Sequence, residues 1–305
     1  MTDVSVRGLT KHFGRVRAVE DLTFDVPAGQ VTGFLGPNGA GKTTTLRIML
    51  GLVAPTAGEA LIGGYRYARL PAPRRTVGAV LEATGFHPGR RGRDHLRILA
   101  QAGGVPRDRV DDVLDRVDLA ADADRRVGGY SLGMRQRLGI AAALLGDPRV
   151  LVLDEPGNGL DPGGMAWLRG LLRDLATSGC AVVVSSHVLA EVAQTVDRVV
   201  IVSQGRLRFA GPVADLGGTG VSVRSPEAAR LRAVLLGRGH DVAVTGGSTL
   251  TVHGVTGEQL GRLAAEAGIA LSALTDAGAS LEAAFLRLTD GAPPVPASVT
   301  TADTR

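Results

Sequence analysis

The sequence predicts an α/β protein: a domain built on a parallel sheet with a helical insertion, followed by a small α+β unit. Three observations carry this. The runs around Val150 to Leu153, Ala181 to Ser185 and Arg198 to Val202 are apolar through almost their whole length, as strands of a parallel sheet covered on both faces are. Between about Arg93 and Leu145 the apolar residues recur mainly at helical spacing. Beyond Leu216-Gly217-Gly218-Thr219-Gly220 the pattern changes to short strands and helices in alternation.

Element by element, turn signals and alternation place strands at about Ser5 to Leu9, Leu22 to Val26 and Val31 to Leu35. The last feeds a glycine-rich turn, and Lys42 to Leu50 then reads as a helix. Strands follow near Glu59 to Ile62 and Val77 to Leu81, then the helical insertion and the three apolar strands. After the break come a strand (Val221 to Arg224), a helix (Pro226 to Leu236), a strand pair (Val242 to Val252, turning at Gly246-Gly247), a helix (Glu258 to Ala267), a strand (Ala270 to Leu274) and a helix (Leu281 to Leu288). That order suits a ferredoxin-like unit. The expected domains are therefore 1–216 and 217–290, with a Pro/Ala/Thr-rich tail, 291–305, read as disordered. No internal repeat stands out.

Composition narrows the function. With 305 residues, 44% of them hydrophobic, the chain has ample sequence for a core. The formal net charge of +4 is spread: no short block is densely basic and no aromatics interleave with arginines. It reads as a solvated surface, and no nucleic-acid binding is expected. The single cysteine, Cys180, heads the apolar run Ala181 to Val184 and reads as a small buried hydrophobe in a reducing compartment. The N-terminus lacks the pattern of a signal peptide, and no apolar run approaches the roughly 18 to 20 residues of a membrane-spanning helix. A cytoplasmic location is expected, with membrane contact only through a partner.

Gly36-Pro37-Asn38-Gly39-Ala40-Gly41-Lys42-Thr43 matches G-x-x-x-x-G-K-[ST] in full, between a predicted strand and a predicted helix. The glycines allow successive backbone N–H groups to turn inward around an anion, and the helix N-terminus adds positive potential. Lys42 is expected on the β- and γ-phosphates, Thr43 as an oxygen ligand of Mg²⁺, and Thr44 on a phosphate.

Further segments accompany this loop in a fixed order: Phe13-Gly14 upstream, Ser131-Leu132-Gly133-Met134-Arg135-Gln136-Arg137, then the strand ending in Asp154-Glu155, then Pro156-Gly157-Asn158-Gly159-Leu160-Asp161-Pro162, and Val184-Ser185-Ser186-His187. Together, from about Val4 to Leu216, they resemble the ATP-binding cassette (ABC) ATPases. The resemblance implies ATP and Mg²⁺ as cofactors and gives each segment a role. Asp154 holds the metal, and Glu155 is the general base for the attacking water. Ser131 and Gly133 reach the γ-phosphate held by another protomer, Asp161 belongs to a loop crossing the dimer interface, and His187 contacts the γ-phosphate and orients the water. Phe13 either stacks on adenine or lies in the core, and Val19 is a second apolar contact to the base.

Departures from the family pattern matter as well. Where many members have Leu-Ser-Gly-Gly-Gln, this chain has Tyr130-Ser131-Leu132-Gly133-Met134, keeping the serine and the second glycine. Gly157 replaces a commoner threonine. Where a glutamine is expected after Val77 to Leu81 there is Glu82, which can offer an oxygen to Mg²⁺ or the water but brings a negative charge beside the γ-phosphate. Val80-Leu81-Glu82 and the ending Ser280-Leu281-Glu282-Ala283-Ala284-Phe285-Leu286-Arg287-Leu288-Thr289 are similar to the ATPases of daunorubicin- and bacitracin-type multidrug exporters.

The resemblance implies an ATPase subunit working as a head-to-tail homodimer on a separate integral-membrane permease, peripheral on the inner face of the membrane, with the permease-facing groove around Glu82 to Arg93. A second class is a soluble ABC-type ATPase acting on nucleic acid or ribosomes. One P-loop and no sustained heptads favour the first.

Overall fold

The computed structural model describes residues 2–81, 85–187, 194–216 and 219–278, together with 285, 288 and 289. Glu82, the tail 291–305 and most of the helix expected at Leu281 to Leu288 lie outside the described residues. Two compact units are present, one built on residues up to Ala210 and the other on Gly211–Leu288.

The first unit opens with the long strands β1 (Thr2–Phe13) and β2 (Val16–Pro27), followed by β3 (Val31–Leu35), α1 (Lys42–Met49) and β4 (Ala57–Ile62). β1 lies between β2 and β4 in a three-stranded antiparallel sheet. Then come α2 (Pro73–Thr76), β5 (Val77–Val80), α3 (Gly92–Gly103), α4 (Arg109–Arg116) and α5 (Leu132–Leu144). β6 (Val150–Asp154), α6 (Pro162–Thr177), β7 (Ala181–Ser186), β8 (Arg198–Ser203) and β9 (Arg206–Pro212) complete it.

The second sheet has the order β5-β6-β7-β3-β8-β9, and its first five strands pair in parallel. Every residue of β3, β6 and β7 is buried, which is why these runs lack polar alternation. Burying each Val or Leu side chain there contributes about 1.5–3 kcal/mol. In the helical insertion, α4 buries Val110, Val113 and Leu114, one apolar stripe at helical spacing. α6 and β9 had no counterpart in the sequence reading. Cys180 is buried, and burial pushes its thiol up to about 11, so it remains a neutral thiol at physiological pH.

The second unit holds α7 (Val213–Leu216), β10 (Thr219–Arg224), α8 (Ala228–Gly237), β11 (Asp241–Gly246), β12 (Thr249–His253), α9 (Gly257–Glu266) and β13 (Ala273–Gly278). Its antiparallel sheet runs β11-β12-β10-β13, the ferredoxin-like order. Val221, Val223, Leu231, Leu235, Leu250, Val252 and Leu260 fill its core. A reciprocal cap between Thr256 and Gln259 fixes the start of α9. β13 begins three residues later than the sequence suggested. Ala270 instead offers its carbonyl to the Ser225 hydroxyl, and Ser272 N–H bonds the Arg224 carbonyl.

Candidate functional site

The site forms where β3, β6 and β7 end side by side: Leu35 pairs with Ser186, and Asp154 with Ser185. Such carboxyl ends of parallel strands are where open α/β sheets bind ligands. From β3 the chain enters the loop Gly36–Gly41 and turns into α1 with Gly41 at the N-cap, φ 99°. A Cβ at Gly41 would collide with the Ala18 carbonyl, so both backbone angle and space demand glycine there. Pro37, Asn38 and Gly39 are exposed, Thr43 and Thr44 half-buried. Gly36 and Ala40 are buried; Ala40 N–H bonds the Pro37 carbonyl at 3.1 Å and tightens the loop.

Lys42 is only 7% exposed. Its ammonium folds back across the loop, donating to the carbonyls of Gly36 (2.7 Å) and Pro37 (3.4 Å) and standing 3.8 Å from Glu155 Oε1. Burial lowers its pKa, against the opposing pull of Glu155 and Asp154. A cation held over backbone acceptors at a helix N-terminus is ready to exchange them for phosphate oxygens.

Asp154 is 8% exposed and fully engaged. Thr43 Oγ1 donates to its Oδ2 at 2.7 Å, and Ser185 Oγ donates to its Oδ1. The same Ser185 oxygen accepts from Glu155 N–H at 2.9 Å. One hydroxyl thus orients the carboxylate and pins the next residue, whose φ of 50° is left-handed. The Glu155 carboxylate Oε2 meets His187 Nδ1 at 2.8 Å. Thr43 and Asp154 present two hard oxygens in contact beside the phosphate loop, a donor pair that suits Mg²⁺ with water and phosphate completing the shell. Ser185 was not singled out from the sequence; its only signal was a position one strand over from Asp154, which becomes visible once the register is known. Replacing Ser185 by Ala should cost about 1–3 kcal/mol, because the Asp154 oxygen and the Glu155 N–H both lose their partner. Thermal denaturation together with KM for ATP measures it.

The other expected residues lie elsewhere in the protomer. Ser131 caps α5, its Oγ accepting from Met134 N–H at 3.2 Å, with the hydroxyl-bearing residue exposed and Gly133 half-buried behind it. Tyr130, where leucine is commoner, is buried and donates to the Asp122 carbonyl at 2.7 Å, so the substitution is absorbed within the helical insertion. Asp161 caps α6 through Gly164 N–H at 2.7 Å. Phe13 is 50% exposed with the Lys11 ammonium 4.9 Å from its ring centroid, which excludes the core alternative. Val19 is a correction: it is wholly buried in the core, not at the surface. A register shift at Asp21, φ 51°, lets Val19 and Leu22 both face inward. Val19 still flanks the loop from inside: a Cβ on Gly41 would meet the Ala18 carbonyl and, at 3.3 Å, Val19 Cγ2.

Residues 19–158 match the family model described as ABC transporter, and 219–282 match a domain of unknown function. The bacitracin transport ATP-binding protein BcrA of Bacillus licheniformis is 37% identical over 300 residues, 95% of this chain and 98% of that protein. The chain belongs to the ATP-binding subunits of ABC transporters. It is therefore a nucleotide-binding transport ATPase. A solved ATP-binding subunit of an ABC transporter superposes on the cassette with a TM-score of 0.65 at 30% identity, covering 70% of this chain and 92% of that one. The dimeric cassette MJ0796 shares the fold, with a TM-score of 0.63 at 24% identity over 68% of this chain and 98% of that one. Among the described residues, no helix of this cassette is long and apolar enough to cross a membrane.

Proposed function

We propose that this ATPase works as a head-to-tail homodimer on a separately encoded permease at the inner face of the cell membrane, exporting an amphiphilic, peptide-antibiotic-like or drug-like substrate. The split of the site carries the dimer: Lys42, Thr43, Asp154, Glu155, Ser185 and His187 converge in one place, while Ser131 stands exposed at the start of another helix, its hydroxyl oxygen accepting from Met134 N–H in its own turn. The substrate class rests on the bacitracin transport relative, whose likeness runs through the second unit as well.

Thr43 and Asp154 are the residues that would hold Mg²⁺, which when bound neutralises charge on the β- and γ-phosphates. Lys42 moves from the Gly36 and Pro37 carbonyls to the phosphates, joined by the loop N–H groups and the Thr44 hydroxyl. Glu155 accepts the proton of the attacking water, and His187 holds that carboxylate in place. Phe13 offers its exposed ring to adenine. The exposed Ser131 and the Gly133 N–H close over the γ-phosphate of the partner's ATP, so ATP binds the closed dimer more tightly than the open one and hydrolysis releases it.

Subunit mixing tests the split site. Lys42→Ala and Ser131→Arg chains are each inactive alone; mixed, they form dimers in which an intact phosphate loop faces an intact serine. ATPase activity should reappear on mixing, and no recovery in dimers shown to be mixed overturns the arrangement. His187→Ala should lower kcat by about 10²-fold, since it frees the base and removes the group that orients the water.

A further inference from the structure

The connection between β8 and β9 is two residues long, and both are left-handed: Gln204 has φ 53° and Gly205 φ 73°. That is the geometry of a type I′ turn, which asparagine and glycine fit and glutamine does not. A strained residue persists only where its surroundings hold it. Here the surroundings are two parts of the nucleotide site. Gly205 N–H donates to the Ala40 carbonyl inside the phosphate loop at 3.2 Å, and the Gly205 carbonyl accepts from Glu20 N–H on β2 at 2.8 Å. Arg206 reinforces the second link, donating to Glu20 Oε1 at 2.8 Å and Oε2 at 3.2 Å. The Ala18 carbonyl lies between two glycines: a Cβ would press on it at 2.4 Å from Gly41 and at 3.0 Å from Gly205.

Ala18 and Glu20 belong to the hairpin that carries Phe13. Phe13 pairs with Val16 where β1 turns into β2, so its ring stands at the tip of that hairpin. The ring is itself held, because the Lys11 ammonium 4.9 Å from its centroid also donates to the Ala54 carbonyl at 2.8 Å. The aromatic platform and the phosphate loop thus sit on separate segments, and Gly205 is bonded to both. We infer that Gly205 is a positioning residue that fixes the span between the Phe13 ring and the phosphate loop, so that the site selects a triphosphate carrying a base over a bare polyphosphate. A ligand that reaches both ends gains from a span already set, since less freedom is lost on binding. A ligand that touches the loop alone gains nothing from it. The inference rests on the placement of adenine on Phe13 proposed above.

The test compares the affinities for ATP and for inorganic tripolyphosphate, each with Mg²⁺, by calorimetric titration of the wild type, Gly205→Ala, Phe13→Ala and the double variant. In Gly205→Ala the left-handed φ is strained and the new Cβ meets Ala18, so the hairpin is pushed away from the loop. ATP should bind about tenfold more weakly, and tripolyphosphate within about twofold of the wild type. Beside Phe13→Ala the same change should cost ATP no more than about twofold, because the far end of the span is then gone. Gln204→Asn, which suits the turn and keeps its bonds, should retain the wild-type preference for ATP. If Gly205→Ala shows no cooperative melting transition, Arg206→Ala is read in its place, with a loss for ATP of about threefold and the same indifference of tripolyphosphate. Equal losses for the two ligands, an unchanged ATP affinity, additive losses in the double variant, or a lost preference in Gln204→Asn overturns the role of Gly205. Wild-type ATP affinity in Phe13→Ala overturns the placement of adenine itself, a separate result.

Discussion

Replacing Glu155 by Gln is expected to reduce turnover by about 10³-fold while leaving ATP binding intact and trapping a dimer in the presence of ATP. The amide keeps the size of the carboxylate and a hydrogen-bonding oxygen for His187, now 2.8 Å from Glu155 Oε2. It cannot take up the proton of the attacking water. It also removes the negative charge 3.8 Å from the Lys42 ammonium and leaves that cation to the phosphates. Size-exclusion chromatography with and without ATP, run beside a phosphate-release assay, reads both outcomes. Turnover near the wild-type rate would remove Glu155 from the role of base.

Lys42→Ala should abolish measurable hydrolysis and weaken ATP binding by about 10–100-fold, the loss of one or two charge-assisted hydrogen bonds at roughly 1.5–3 kcal/mol. Alanine leaves the Gly36 and Pro37 carbonyls and the buried flank of the loop without the cation that now satisfies them. Equilibrium binding of a fluorescent ATP analogue gives the affinity. The pH dependence has a definite sign. Burial favours the neutral amine, so Lys42 loses its proton at a lower pH than a solvated lysine, and only the protonated form attracts phosphate. ATP affinity should therefore decline with rising pH before an ordinary lysine would titrate, and bound phosphate should draw the pKa back up. A Kd with no alkaline decline in the wild type that is absent from Lys42→Ala would contradict this.

Much of the first unit was legible because its signals are local. The loop Gly36–Thr43 needs glycines at set spacings to turn backbone inward, and the strand Val150–Asp154 announces itself by having no solvent face. The second unit was readable to within a few residues because turn dipeptides such as Gly246-Gly247 and the cap pair Thr256 and Gln259 are themselves sequence signals. What failed was long-range. Val19 looked available for a base contact, but a shift in β2 turned it into the core. The long strands β1 and β2 were seen only as short apolar cores, since their exposed ends pair without alternating hydrophobicity.

By itself the sequence carried a complete phosphate-loop pattern at Gly36–Thr43, an apolar strand ending in Asp154-Glu155, and motifs in the order that ABC ATPases have. Those features are encoded in residue type and spacing. Tertiary structure alone decided that Ser185 holds both Asp154 and Glu155, that Phe13 stands in solvent while Val19 does not, and that Leu132 rests on Gly159. Each depends on strand register or helix packing between residues far apart in the chain, and a hydroxyl, a ring or a methyl group carries no mark in the sequence of the neighbour it will meet.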